Sequence, residues 1–533
     1  MFELTRKKRL LLSILSGFLM VISFPYTGSI TPLVFVSWIP LLLIESYISK
    51  QKYRSTKVYL HALITFFIYN LGTTWWIWNA DEAGALMAIV LNSLFMALVF
   101  LIFHRFKKSI AGDIGYILLP IFWITFEFIH YHWELSWPWL HYGNVFSITP
   151  SLVQWYSYTG VFGGTLWVVC VNIFGFFIVR NILIKGQKWN IQAKSILLFS
   201  SVITVPLIIS MYTYFTYDEK KDPIEIVVLQ PNIDPYTEKF TTDLKPQLDK
   251  LFALADSKVT PKTQFVVAPE TAISTGFYEQ DLKSLPFFHY ILKRKEKWYN
   301  AAFLTGASSS RYFSHKNSIA SREMDGGSGF YENYNTSLLL DETNGLYFVH
   351  KSKLVLGVEK IPFTTIFPSL EDLSIKLGGS SGSLGIETEP KILSANATNF
   401  APSICYESIY GEFIGRQVNK GAEVVFVITN DGWWGNTPGY KQHASFSRLR
   451  AIESRRSIAR SANTGISCFI NQRGDVIEQS DWWIPTALKQ SLNKNKEVTF
   501  YAKHGDLLGR LFSFLSVLLI VFLSLKKVQR MFQ

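Results

Sequence analysis

SILLFSSVITVPLIISMYTYFTYDEKKDPIEIVVLQ, residues 195–230, changes character twice. Residues 195 to 215 are an apolar run, and a helix needs ~20 such residues to cross the hydrocarbon core of a bilayer. A charged stretch follows, and then Ile224 to Leu229, a β-branched run that reads as a buried strand. One segment therefore closes a helical membrane region and opens a polar α/β domain. The rest of the chain divides accordingly.

Seven further stretches are long and apolar enough to span: roughly 10–26, 31–48, 58–78, 83–104, 114–131, 160–180 and 507–525. The first is short and ends at Phe24-Pro25, so a signal peptide is its alternative, but no small-residue cleavage site follows it. At 49% hydrophobic and 16% aromatic over 533 residues, with mean hydropathy +0.18, the composition is too apolar for one ordinary soluble fold. The division expected is a membrane domain over 1–215, a polar domain over 216–505, and a closing span with its tail over 506–533.

Basic residues mark only alternate ends of these spans. Arg6, Lys7, Lys8 and Arg9 precede the first; Lys50, Lys52, Arg54 and Lys57 follow the second; Arg105, Lys107 and Lys108 follow the fourth. Arg180, Lys185, Lys188 and Lys194 follow the sixth, and Lys526, Lys527 and Arg530 follow the eighth. The opposite loops, 27–30, 79–82 and 132–159, hold no Lys or Arg. The positive-inside rule then puts both termini in the cytoplasm and the large domain outside. Together these cations outnumber the entire net charge of +12, so the basicity is a topology signal and gives no motive for a nucleic-acid partner.

The loop 132–159 is the long external one among the first seven spans, and it carries Trp133, Trp137, Trp139 and Trp155, with Trp75, Trp76 and Trp78 on the same side. An aromatic belt at the headgroup level and the lining of a lipid access site both fit. Between 216 and 505, strand-like runs alternate with longer helical patterns, which argues for a layered α/β fold. Residues 308–330, rich in Ser, Gly and Arg, read as a surface loop. Three cysteines, Cys170, Cys405 and Cys468, are too few and too irregular for a disulfide framework or a zinc cluster. A free exported thiol needs another reason.

Three polar residues end strand-like runs: Glu270 after Gln264 to Ala268, Lys351 after Leu346 to Val349, and Cys405 after Ala401 to Ile404. Strand ends are where open α/β sheets bind ligands. A thiol near its free pKa is only a few per cent thiolate at neutral pH, so a nucleophilic Cys405 needs a base and a positive charge. Glu270 is a candidate for the first and Lys351 for the second, and Lys351 could also neutralise an oxyanion together with the N–H after Cys405. The bland reading is a small buried hydrophobe for each cysteine, which is the one assigned to Cys170 and Cys468, and solvated surface groups for Glu and Lys.

The segments APET (268–271), HKSKLVLGVEKIP (350–362), SICYES (403–408), NDGWWGNTPGYKQH (430–443) and RSANTGIS (460–467) resemble, in that order, the blocks of apolipoprotein N-acyltransferases. WITFE (123–127) and SWPWLHYGN (136–144) add to the resemblance in the apolar half. That family is the membrane branch of the nitrilase, or carbon–nitrogen hydrolase, superfamily. The resemblance implies eight transmembrane helices and an inserted α-β-β-α sandwich with a Glu-Lys-Cys triad. It assigns Glu270 as general base, Lys351 as the transition-state lysine and Cys405 as nucleophile. Glu359, Tyr406, Glu407 and Asn335 match supporting positions, and Trp139 a substrate-binding one. The family's L-V-P-F-G-E is replaced by Leu354-Val-Leu-Gly-Val-Glu359, and its tryptophan downstream of Gln230-Pro-Asn-Ile by Phe240.

The implied reaction needs no cofactor and no metal. A phospholipid acylates Cys405, and the thioester then acylates the N-terminal amine of a diacylglyceryl-modified apolipoprotein, by a monomer in the bacterial cytoplasmic (inner) membrane whose catalytic domain is periplasmic. A membrane-tethered amidase with water as acceptor is the nearest rival. A non-catalytic lipid-binding or transport protein is the other, weakened by the few ionisable groups inside the spans, Glu127 and Arg510 among them.

Overall fold

A computed structural model describes residues 4–51, 53–110, 112–183, 186–187, 192–341, 345–364 and 383–532. Of the cations used above for orientation, Lys52, Lys185 and Lys188 lie outside the described residues. Two compact units are present: residues 1–78, 82–216 and 506–533 form one, and residues 79–81 and 217–505 the other.

The first unit is helical: α1 (Arg6–Ser23), α2 (Ile39–Lys50), α3 (Thr56–Thr74), α4 (Glu82–Lys107), α5 (Leu118–Ile129), α6 (Tyr156–Leu183), α7 (Ala193–Thr216) and, after the second unit, α13 (Leu507–Phe532). Every apolar stretch read from the sequence thus falls on a helix. Among the described residues six helical segments are long and apolar enough to cross a membrane: Thr31–Lys50, Glu82–Lys107, Asp113–His132, Tyr156–Leu183, Ala193–Thr216 and Leu507–Leu525. α1 starts earlier than its apolar core, because the Thr5 side chain accepts from the Lys8 N–H and caps the first turn ahead of it. Gly160, at φ +59°, bends the first turn of α6.

Aromatic rings fill this unit's interior. Trp38 meets Trp123 edge-on at 4.6 Å, and Tyr69 stacks on Tyr142 at 5.7 Å. Glu127 is buried, but the Thr165 hydroxyl (2.6 Å), the Trp123 indole (3.1 Å) and the Tyr142 N–H (3.0 Å) all donate to it. Those partners make it a packing element, as buried polar groups require. The loop after α5 is wound into short 3₁₀ turns, in which Trp139 is buried between Trp137, stacked at 5.5 Å, and Trp76 at 4.9 Å. Trp75 and Trp78, by contrast, are exposed.

Among the described residues the second unit has fourteen strands in two sheets. The first sheet contains β1 (Pro223–Gln230), β2 (Thr263–Val267), β3 (Ile273–Tyr278), β4 (Ala302–Phe313), β5 (Arg322–Glu323), β6 (Phe330–Leu340), β7 (Leu346–His350) and β14 (Thr486–Asn493). The second contains β8 (Leu393–Ala395), β9 (Thr398–Ile404), β10 (Val424–Thr429), β11 (Ile458–Ala462), β12 (Cys468–Ile470) and β13 (Val476–Gln479). β1, β2 and β4 run parallel, as do β9, β10 and β11, and β14 returns antiparallel to β1. Their inner faces close on one core, where Phe265 meets Phe400 at 5.5 Å and Phe426 at 5.1 Å.

Helices α8 (Leu244–Asp256) and α9 (Pro286–Lys295) cover the outside of the first sheet, and Leu248, Leu251, Phe252 and Ile291 pack on Val266 and Phe303. Helices α10 (Gly411–Asn419) and α11 (Pro438–Ser454) belong with the second sheet, and α12 (Phe500–His504) packs on both. The α-β-β-α layering that the resemblance implies is present. The expected loop 308–330 is shorter than read. β4 continues to Phe313, paired in register with β6 as far as Phe330, because every second side chain still faces a partner: the Ser309 hydroxyl lies 2.6 Å from that of Thr336. Serine-rich composition hid a period-two pattern.

Candidate active site

The chain end of β2 is held open by one glycine. Ala268 N–H donates to Leu304 O at 2.8 Å and Gly306 N–H to Pro269 O at 3.0 Å, seating Pro269-Glu270 on β4. A Cβ at Gly306 would lie 2.4 Å from Thr271 N and 2.5 Å from Glu270 Cα, so no other residue fits beneath. Glu270 is thereby fixed as the strand ends.

Lys351 follows β7, and its N–H donates to Asn335 O at 2.8 Å. Its ammonium Nζ lies 3.2 Å from Glu270 Oε1 and 2.8 Å from Glu359 Oε1. Asn335 Nδ2 donates to the same two oxygens, at 2.7 and 2.9 Å. Glu359 is aimed by a tight turn in which its Oε2 accepts the Val355 N–H at 2.8 Å and its own N–H donates to Val355 O. The altered Leu354 to Glu359 stretch therefore still delivers a carboxylate to Lys351.

Cys405 follows β9 with φ +51°, an uncommon conformation for a residue with a Cβ, which costs of order 1–3 kcal/mol and must be held by its surroundings. Glu407 does much of this holding. Its Oε2 accepts the Ile404 N–H at 2.7 Å and its Oε1 the Ser352 N–H at 2.5 Å, so one carboxylate ties the residue before the thiol to the residue after Lys351. Burial pushes the Glu407 carboxyl up to about 7 against those bonds. Tyr406 is buried edge-on to Tyr410 at 5.4 Å.

Beneath the thiol lies a second network that sequence reasoning did not assign. His443, on α11, places Nε2 3.2 Å from Cys405 O and Nδ1 2.8 Å from Asp431 Oδ1. Asp431 also accepts from Thr429 Oγ1 (2.7 Å) and from Arg460 NH2 on β11 (2.6 Å). The Ser408 hydroxyl donates to Cys405 O at 2.7 Å. The Cys405, Asp431 and His443 donor atoms lie within 4.8 Å of one another, a metal-like grouping, but Arg460 NH2 contacts both Asp431 and His443 Nδ1 (3.0 Å) and supplies the positive charge itself. Asp431 and Arg460 stood in quoted motifs; only the fold reveals that they meet.

Lys239 is the other residue missed. It lies one position before Phe240, is 2% exposed, and its Nζ donates to the Glu270 main-chain oxygen at 2.9 Å. Nothing in a lysine of a polar loop signals this. Trp139 belongs to the helical unit and is not part of this cluster.

The charges follow from the geometry. Burial raises the Glu270 carboxyl, but the Lys351 ammonium, the Asn335 amide and the Lys239 ammonium outweigh it and hold the group below the usual carboxylate range. Burial and the Glu270 charge push the Cys405 thiol well up, against the pull of Lys351. Burial alone would lower Lys351, but Glu270 and Glu359 keep it charged. The resting site thus holds a thiol, a carboxylate and an ammonium, and its carboxylate can take the thiol proton when an electrophile arrives.

Asp431 tests the lower network. Burial raises its carboxyl, but Arg460 and His443 hold it below the usual range. Its pairing therefore stabilises the fold fully above the unfolded value of about 3.9 and is lost only as pH falls through the lower folded value. Asp431→Asn leaves Arg460 buried and uncompensated, and should cost about 3–5 kcal/mol at neutral pH, read by denaturant unfolding.

Comparison with known proteins places both units. Residues 16–174 match the family described as the apolipoprotein N-acyltransferase N-terminal domain, and residues 226–495 match carbon–nitrogen hydrolase. Relatives named apolipoprotein N-acyltransferase include that of Chlorobaculum tepidum, 28% identical over 94% of this chain and 93% of its own length. That of Thermotoga maritima is 25% identical over 96% of this chain and 92% of its own. Among solved structures, an amidase of the nitrilase superfamily from Nesterenkonia AN1 is 15% identical with TM-score 0.37, covering 54% of this chain and 97% of that one. The chain belongs to the carbon–nitrogen hydrolase family, with the amino-terminal domain of the apolipoprotein N-acyltransferases ahead of its catalytic unit.

Proposed function

We propose that the protein is a phospholipid-dependent apolipoprotein N-acyltransferase of the bacterial inner membrane, working by a thioester on Cys405. The observation that carries this is the union, in one chain, of that family's amino-terminal domain with a hydrolase-type unit whose strand ends hold Glu270, Lys351 and Cys405. Eight helices cross the bilayer, residues 1–215 and 506–533 form the membrane domain, and residues 216–505 lie on the periplasmic side with both termini cytoplasmic.

In the first half-reaction Glu270 takes the Cys405 proton as sulfur attacks the ester carbonyl of a phospholipid. Lys351 neutralises the oxyanion, the C–O bond breaks, and Glu270 returns the proton to the departing lysophospholipid oxygen. In the second, the amine of the diacylglyceryl cysteine attacks the thioester carbon. Glu270 takes the amine proton and gives it to the departing sulfur, leaving an amide. Asn335 and Glu359 hold Lys351 and Glu270 in register, and Glu407 and Tyr406 hold the turn that bears the thiol.

Both substrates keep their acyl chains in lipid, since moving them to water costs ~0.8 kcal/mol per CH₂, so the reaction belongs at a bilayer surface. Tyr236, Phe240 and Trp433 form an aromatic group beside the site, Trp433 lying 5.2 Å from Tyr236 and 6.4 Å from Phe240. They suit an acyl chain, with Phe240 standing where the family resemblance leads one to expect a tryptophan. Trp139 serves this reading as part of the packed external loop. Full-length protein given acyl-labelled phospholipid and a diacylglyceryl-cysteine peptide should move the label into an amide on the peptide. Release of free fatty acid alone would mean that water is the acceptor, and the proposal fails.

A further inference from the structure

The loop after β1 carries Lys239 into the catalytic cluster with its main chain fastened on both sides. The Lys239 N–H donates to Asp234 O at 2.9 Å, and Gln247 Nε2, from α8, donates to Lys239 O at 3.1 Å. A lysine is almost never fully buried without a partner. This one spends its buried ammonium on the Glu270 carbonyl, and its charge acts on both the Glu270 carboxylate and the Cys405 sulfur.

We infer that Lys239 is a positioning residue of acyl transfer, a second cation that pins the Glu270 segment by its main-chain oxygen and, together with Lys351 on the carboxylate itself, favours the charged form of Glu270. Lys351 alone faces two carboxylates, Glu270 and Glu359, so its single charge is shared. Lys239 makes the count even: two ammoniums to two carboxylates, in a site from which water is largely excluded. An isolated buried carboxylate would instead bind a proton and stop being a base.

Burial makes the Lys239 ammonium easier to discharge, down to about 8 despite the neighbouring Glu270 and Cys405, so it is still charged at neutral pH. The groups bearing on Glu270 are Lys351 after β7, Asn335 on β6 and Lys239, with Glu359 in its tight turn and Cys405 after β9 beyond them, and Asp431 acting on Cys405 in turn. Removing Lys239 removes one of the influences that lower Glu270. The carboxylate form is then lost at a higher pH.

This inference rests on the thioester mechanism proposed above, and one experiment separates the two. Full-length wild-type protein, Lys239→Met and Lys239→Arg are mixed with phospholipid alone, and the rate of acyl-thioester formation on Cys405 is followed by mass spectrometry across pH. Lys239→Met should slow acylation about tenfold or more at the acid end and move the acid limb of the profile up by roughly one pH unit, with KM for phospholipid unchanged. Lys239→Arg should keep the wild-type limb. Should Lys239→Met not yield folded protein, Lys239→Gln keeps a donor for the Glu270 carbonyl without the charge and must still move the limb. A deficit equal at every pH, or one confined to KM, overturns the inference. Absence of any thioester on the wild-type protein overturns the mechanism instead.

Discussion

Cys405→Ser is expected to abolish acyl transfer, by more than about a thousandfold, while the protein folds and inserts as before. Serine fits the volume and leaves the hydrogen bonds to the Cys405 carbonyl from Ser408 and His443 in place, because those touch main chain and not sulfur. What it loses is chemistry. The Glu270 carboxylate is held low by its cations, which makes it a weak base, adequate for a thiol in the transition state and inadequate for an alcohol. Transfer of labelled acyl chains and intact-mass measurement check this together. Wild-type transfer by the serine variant would remove Cys405 from the mechanism.

Glu270→Gln is expected to cost about 10²–10⁴ in transfer, since it removes the proton acceptor but keeps the side-chain shape. Its second effect runs the other way. The Glu270 charge is one of the influences that hold the Cys405 thiol up, after burial, so the neutral glutamine should let the thiol ionise at lower pH. Alkylation of Cys405 measured against pH should therefore be faster in the variant than in the wild type, at a pH where transfer is nearly lost. A variant both inactive and equally slow to alkylate would indicate damaged geometry and not a missing base.

The parts of the molecule legible in the sequence are those with a local signature. Each apolar stretch became a helix, because length and hydropathy are properties of the stretch itself. Glu270, Lys351 and Cys405 stood out as polar residues ending strand-like runs, and the structure brings Glu270, Lys351, Asn335 and Glu359 into direct contact. What was not legible depends on pairing across the chain. The 308–313 part of β4 looks like a serine-rich loop until β6 is laid beside it. Asp431, His443 and Arg460 are ordinary polar residues until α11 and β11 bring them together at the turn that bears the thiol. Lys239 reaches Glu270 across 31 positions by a hydrogen bond to main chain, for which no residue pattern exists. Glu407 was placed by resemblance, but its two-ended grip on Ile404 and Ser352 is a matter of geometry.

The antiparallel pairing of β14 with β1, from Pro223 opposite Asn493 to Gln230 opposite Thr486, has a consequence for the chain on either side. A flexible insertion of this length would tax the joining of its two ends by a loop entropy that grows with the logarithm of its length. Here the chain leaves the unit alongside the strand by which it came in. To the flanking segments the whole unit is equivalent to a hairpin, and its size is hidden from them. Loops within it can lengthen or shorten without altering the distance between the two points where it is spliced.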